Sequence, residues 1–265
     1  MVTIKMSFDS KILKAIKNPS LALKKISLHL RGRLDSSTVS DKDAAAFFAV
    51  ARGSNLVLLQ TLLPFLKTSK VIFDVGANAG YFSKEILDAG YKGKIVLFEP
   101  IPNLMAIAVR TLAPYNVEKS FINSALGDKN ISGEIFLPND SNIGWNTLVQ
   151  EKTKSKRVIK ISIEDTKFYA KNYLPDFIKI DVEGYELFVL RPFLEVINSD
   201  YRPTFLVELG WGKSNPNWPK FIDLASLFIK KGYKFFKATD PQCELTIAEL
   251  TNLDHTLDAL IKPEI

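Results

Sequence analysis

The sequence is poor in the residues from which most metal, redox and nucleophile sites are built. Its 265 residues include one cysteine, Cys243, so no internal disulfide and no thiolate zinc cluster can form. They include two histidines, His29 and His255, which excludes a histidine-rich metal centre. Neither lies near a nucleophile motif, which argues against a Ser-His-Asp triad. No apolar run reaches the roughly 18 to 20 residues needed to span a bilayer. The N-terminus lacks an apolar core followed by a small-residue cleavage site. A cytoplasmic location is the expectation.

What is present suits a folded α/β chain. Hydrophobic residues make up 46% and charged residues 24%, enough apolar content for one large domain and too much for wholesale disorder. The net charge of +6 is unevenly placed. Residues 1–33 hold eight Lys/Arg against the single acid Asp9, a net of +7, which leaves the remainder at −1. A nucleic-acid partner wants a basic face on the folded domain, and this charge sits on an arm, so none is expected. The arm alternates apolar and basic positions (Ile12, Leu13, Ile16, Leu23, Ile26). Such a segment either lies on an anionic membrane or packs on the domain with its lysines in water. Residues 1–42 therefore read as a basic helical arm and linker, and 43–265 as the main domain.

Within that domain strands and helices alternate. A helix is expected over about 43–67. Strands follow at Val71–Val75, Lys94–Phe98, Val117–Asn123, Phe177–Asp181, Thr204–Glu208, Tyr233–Lys237 and Ala259–Ile261, separated by helices at Tyr81–Ala89, Asn103–Leu112, Asp165–Tyr173, Leu187–Phe193 and Phe221–Lys230. This order implies right-handed crossovers and a mostly parallel sheet covered on both faces. Residues 131–163 break the rhythm and read as an inserted hairpin around a polar loop.

The strongest local signal is Asp74-Val75-Gly76-Ala77-Asn78-Ala79-Gly80, between a strand and a helix. Glycine at 76 permits a tight turn and a close approach to the backbone. The segment carries two of the three glycines of the dinucleotide fingerprint and lacks the Lys-Ser/Thr pair of a P-loop. A plain structural turn is the alternative. Glu99 bears on that choice. It ends the second strand nineteen residues after Gly80, where an acid accepts hydrogen bonds from ribose hydroxyls, and Pro100 turns the chain beyond it. A nucleoside across the first two strand ends fits both features. An Asp-x-Gly opening with one glycine fewer suits the cationic sulfonium of S-adenosylmethionine better than a pyrophosphate, with Asp74 as the acid and backbone N–H groups for the carboxylate. A dehydrogenase is the weaker alternative.

Four segments occur in order: Val71-Ile72-Phe73-Asp74-Val75-Gly76-Ala77-Asn78-Ala79-Gly80, Phe98-Glu99-Pro100, Asn123-Ser124-Ala125-Leu126-Gly127-Asp128, and Phe177-Ile178-Lys179-Ile180-Asp181-Val182-Glu183-Gly184-Tyr185-Glu186. Together, over about residues 70–210, they resemble the FkbM-type methyltransferases, a branch of the class I S-adenosylmethionine-dependent enzymes. The resemblance implies a Rossmann-like, seven-stranded, mostly parallel sheet with a reversed last strand. It also implies methyl transfer to oxygen, often on sugars or secondary metabolites, with S-adenosylhomocysteine as product. By position it implies that Asp74, Gly76, Asn78 and Gly80 hold the methionine part and that Glu99 holds the ribose. Asn123, Ser124 and Ala125 border the adenine, and Asp181 faces the methyl and amino end. Ala77, Tyr81, Phe82 and Pro100 complete the expected cofactor contacts.

A second constellation is acidic. Asp181, Glu183 and Glu208 form the expected catalytic group, with Glu186 nearby. Transfer to an alcohol needs alignment and proton removal, and Glu183 and Glu208 are the candidate bases. The bland alternative is that these acids cap the Gly184-Tyr185 turn and anchor substrate hydroxyls. A divalent cation held by Asp181 and Glu208 is a third, less favoured reading, and no metal ligand is assigned. Trp211 and Trp218 either stack on a sugar ring or close the core, and Trp145 reads as part of a substrate lid. The expected activity is O-methylation of a sugar or glycan, with residues 1–33 touching the inner membrane. A natural-product O-methyltransferase and a non-catalytic S-adenosylmethionine-binding scaffold are the alternatives.

Overall fold

The computed structural model describes residues 56–137, 146–150, 157–210 and 212–264. The expected arm and linker, residues 43–55 of the first expected helix, Trp145 and Trp211 lie outside the described residues. The elements run α1 (Leu56–Thr68), β1 (Val71–Val75), α2 (Tyr81–Asp88), β2 (Lys94–Phe98), α3 (Pro102–Leu112), β3 (Lys119–Ile122), β4 (Ala125–Gly127), β5 (Ile131–Leu137), β6 (Arg157–Asp165), α4 (Thr166–Tyr173), β7 (Phe177–Ile180), α5 (Glu186–Leu190), β8 (Thr204–Leu209), α6 (Trp218–Lys230), β9 (Tyr233–Lys237), β10 (Asp240–Glu244), α7 (Ile247–Asn252) and β11 (Leu257–Pro263).

The main sheet has eight strands in the order β10-β9-β11-β8-β7-β1-β2-β3. Strands β3, β2, β1, β7 and β8 are parallel, and β11 runs antiparallel between β8 and β9. The expected reversed last strand is thus β11. The eighth strand, β10, exceeds the seven expected. Its sequence Asp-Pro-Gln-Cys-Glu is polar with a proline, which a sheet tolerates at an edge, and it pairs with β9 alone.

Successive strand residues face opposite sides, and the buried residues sort accordingly. Ile72, Ile95, Leu97, Phe177, Leu206 and Leu260 pack with α1, α2 and α3. Phe73, Val75, Phe98, Ile178, Phe205 and Val207 pack with α4, α5 and α6. This is the doubly wound arrangement, buried on both faces. The hairpin expected at 131–163 is the antiparallel pair β5–β6, and β4 adds to β6 in parallel to make a second sheet of three strands. That short strand was not foreseen, because three residues are too few to carry a period. Among the described residues no helix is long and apolar enough to cross a membrane.

The turn after β1 depends on one close approach. Gly76 has φ +74°, and a Cβ there would lie 1.8 Å from the carbonyl oxygen of Asp181. Gly76→Ala should therefore destabilise the protein by more than about 3 kcal/mol. Gly90→Ala, at φ +93° with nothing within 4 Å of the added methyl, should cost only about 1 kcal/mol. Chemical denaturation of the pair checks this; equal losses would contradict it.

Candidate active site

The C-terminal ends of β1, β2, β3, β7 and β8 bring most of the expected site residues to one edge of the sheet. The turn 76–80 is tightly self-satisfied. Gly76 N–H and Ala77 N–H both donate to the Phe98 carbonyl at 3.0 Å, Ala79 N–H donates to Asn78 Oδ1, and Gly80 N–H donates to the Ala77 carbonyl. Asn78 and Gly80 have φ +50° and +83°. The missing Cβ of Gly76 admits the Asp181 carbonyl, and its N–H is engaged by Phe98. Tyr81, buried, and Phe82, half-buried, open α2 just beyond the turn.

Asp74 also sits deeper than expected. It is fully buried, and Ser83 Oγ of α2 donates to its Oδ2 at 2.7 Å. The carboxylate lies beneath the turn and is tied to α2 through Ser83. Lys179 explains how this charge is tolerated. Asp74 and Lys179 are direct neighbours across β1 and β7. The Lys179 ammonium donates to the Gly76 carbonyl at 2.9 Å and to Asp181 Oδ2 at 3.1 Å, and stands 3.5 Å from Asp74 Oδ1. Burial opposes its charge, but Asp181 and Asp74 outweigh burial and hold the lysine above its ordinary value.

Glu99 is 5% exposed at the end of β2. Its oxygens accept the N–H groups of Asn78 at 2.9 Å and Ile101 at 2.8 Å. Each carboxylate oxygen keeps a second lone pair. Burial pushes the group up to about 7, against the two backbone donors and Lys179. The Asn123 amide donates to the carbonyls of Glu99 and Pro100 at 2.8 and 3.1 Å, clamping the turn after β2. Ser124 and Ala125 are buried beside it, and Ser124 Oγ has no hydrogen-bond partner.

The acids gather as expected. Oxygens of Asp181, Glu183 and Glu208 lie within 4.8 Å of one another, a spacing that suits shared protons or one hard cation. Asp181, chiefly, with burial and then Glu183 and Asp258, pushes Glu208 up to about 10. Asp258 of β11, paired with Glu208 across the strands, is raised to about 6 by burial and by Asp181. Glu183 has φ +52°, a strained conformation for a non-glycine residue. Its carbonyl accepts from Thr147 Oγ1 at 2.6 Å, and the Gly184 carbonyl that follows accepts from Asn215 at 3.1 Å. Glu186 is buried and accepts the Gly184 N–H at 2.7 Å, so it caps the loop. Trp218 is buried, stacks on Phe221 and donates to the Leu250 carbonyl, so it closes the core.

Sequence reasoning missed Lys179, Asp258 and Thr147. Lys179 had a readable signal, since a lysine inside an apolar parallel strand must find buried anions. Asp258 and Thr147 had none, because chain distance hides their proximity.

The Methyltransferase FkbM domain matches residues 74–235 of the chain, from Asp74 to the middle of β9. The chain belongs to the FkbM methyltransferase family. It is therefore an S-adenosylmethionine-dependent methyltransferase. A comparison with curated proteins gives no significant match. Among solved structures the chain is similar to an O-methyltransferase from Bacillus cereus in complex with SAH, at 13% identity and TM-score 0.44, covering 91% of this chain and 100% of that one. It is also similar to the O-methyltransferase TomG from Streptomyces achromogenes, at 11% identity and TM-score 0.43, covering 91% and 96%. The ribosomal protein L11 methylase from Lactobacillus delbrueckii subsp. bulgaricus gives 8% identity and TM-score 0.41, covering 80% of each chain. At these values the likenesses carry no argument about acceptor, and family membership rests on the domain match.

The buried acid at position 99 makes the cofactor-free enzyme pH-sensitive. A carboxyl raised from 4.5 to about 7 on folding stabilises the protein below 4.5, and that contribution is lost as pH rises through about 7. Glu208 and Asp258 act in the same direction. Glu99→Gln should flatten the decline between about pH 5 and 7 by on the order of 2–3 kcal/mol. Equilibrium denaturation across that range measures it; an unchanged slope would contradict the assignment.

Proposed function

We propose that this FkbM-family enzyme methylates a hydroxyl oxygen of a sugar or glycan. The observation that carries the reading is the oxygen-rich rim of Asp181, Glu183 and Glu208 at the strand ends. Carboxyl groups so placed bind a polyhydroxylated acceptor and take a proton from one hydroxyl.

Two features support the cofactor fit at the neighbouring edge. Glu99 keeps lone pairs for ribose hydroxyls, and the buried Ser124 Oγ offers an unused hydrogen bond beside an adenine. The methionine part lies at Asn78, Gly80, Tyr81 and Phe82, with Asp181 at its amino end. Bound there, S-adenosylmethionine supplies an electrophilic methyl carbon for in-line displacement. Glu183 removes the acceptor proton. Glu208, protonated, donates a hydrogen bond to a second acceptor oxygen. The acids act by sharing protons rather than by holding a metal, because Lys179 already supplies a cation to Asp181. The basic segment 1–33 supports a site of action at the cytoplasmic face of an anionic membrane, where lipid-linked acceptors are held.

Isothermal titration should show micromolar S-adenosylhomocysteine binding by the wild type. Glu183→Gln should keep that affinity within about threefold and lower turnover on a carbohydrate acceptor panel about 100-fold or more. A peptide or lipid acceptor working where carbohydrates fail would overturn the acceptor assignment. Absence of binding by folded protein would overturn the cofactor site. Removal of residues 1–33 should abolish sedimentation with phosphatidylserine vesicles; retained binding would refute the membrane assignment.

A further inference from the structure

The acid-rich edge carries its own cation. Asp74, Lys179, Asp181, Glu208 and Asp258 share the parity of Ile72, Phe177, Leu206 and Leu260, so all point to the α1–α3 side of the sheet. Lys179 stands among them, hydrogen-bonded to the Gly76 carbonyl and Asp181 and 3.5 Å from Asp74. It is 9% exposed, so its charge is fixed in place and weakly screened by solvent.

The cofactor and its product differ in charge at one atom. The sulfonium of S-adenosylmethionine is cationic, and the thioether of S-adenosylhomocysteine is neutral. A rim of carboxylates favours the sulfonium. That charge disappears as the methyl leaves, so excess attraction stabilises the ground state more than the transition state and slows transfer. A fixed ammonium beneath the turn offsets that attraction.

We propose that Lys179 is a positioning residue that sets the charge preference of the cofactor site, restraining its selectivity for the sulfonium over the thioether. The inference rests on the turn 76–80 and Asp181 receiving the methionine end. It requires no contact between Lys179 and the cofactor. The lysine acts through its field and through Asp181, whose carboxylate it holds.

Calorimetric titration with S-adenosylmethionine, S-adenosylhomocysteine and adenosine tests it. Lys179→Met should shift the affinity ratio toward S-adenosylmethionine by roughly tenfold, the effect of one unit charge a few ångström away in a partly solvated site. Lys179→Arg should restore the wild-type ratio. Adenosine, which lacks the methionine end, should bind the variants and the wild type alike. Loss of a buried cation leaves Asp74 uncompensated and can prevent folding, so Asp181→Asn supplies the opposite sign. It removes an acid, keeps the lysine, and should shift the ratio toward S-adenosylhomocysteine. Equal weakening of all three ligands in Lys179→Met, or an Asp181→Asn ratio that is unchanged or moves toward S-adenosylmethionine, would overturn the proposal. Failure of wild-type protein to bind any of the three would instead overturn the cofactor site itself.

Discussion

The ends of β1 and β7 meet at a distance that leaves no room for a side chain. The Asp181 carbonyl occupies the space a Cβ at position 76 would need, and Lys179 reaches across to the Gly76 carbonyl. Everything at this edge depends on that contact. It sets the path of the turn into α2, places the Asn78 N–H on Glu99, and directs Asp181 toward Glu208 and Glu183. Asp74 is tolerable at full burial because the same lysine stands beside it and Ser83 bonds its other oxygen. An unpaired carboxylate there would cost several kcal/mol.

The site divides into two chemistries because of this geometry. On the β1–β2–β3 side, acceptors and donors are spent on holding turns. Glu99 receives two backbone donors, and Asn123 clamps the carbonyls of Glu99 and Pro100. What is left over, the outer lone pairs of Glu99 and the Ser124 hydroxyl, is sparse and directional, as nucleoside recognition demands. On the β7–β8–β11 side, the carboxyl groups crowd one another. Crowding and burial push Glu208 above its ordinary value, since groups this close cannot all ionise.

The layered fold was legible because its strands are short apolar runs separated by helices, and the motif at 74–80 falls where such a fold binds ligands. The exceptions have physical causes. Strand β10 is polar and lies at an edge, so hydrophobic patterning does not mark it. Strand β4 is too short to show a period. The positions of Gly76 and Asp74 were readable, but the Asp181 carbonyl against the one and the Ser83 hydroxyl on the other were not. A glycine required by a neighbouring backbone and one required by a ligand look alike in sequence. A buried aspartate that braces a turn likewise resembles one that meets a cation. Glu208 was found as an acid beside Asp181, but the burial and the neighbour Asp258 that also push it up come from a strand fifty residues further along the chain. Thr147 reaches Glu183 from the inserted hairpin, a link that only the fold creates.

The central claim is that one strand edge, from β3 to β8, holds both cofactor and acceptor. Amide hydrogen exchange with and without S-adenosylhomocysteine tests it most directly. Slowed exchange at 76–84, 99–103 and 123–126, with little change in β9 and β10, is the predicted result. Protection absent from those segments, or concentrated on β9 and β10, would contradict the account.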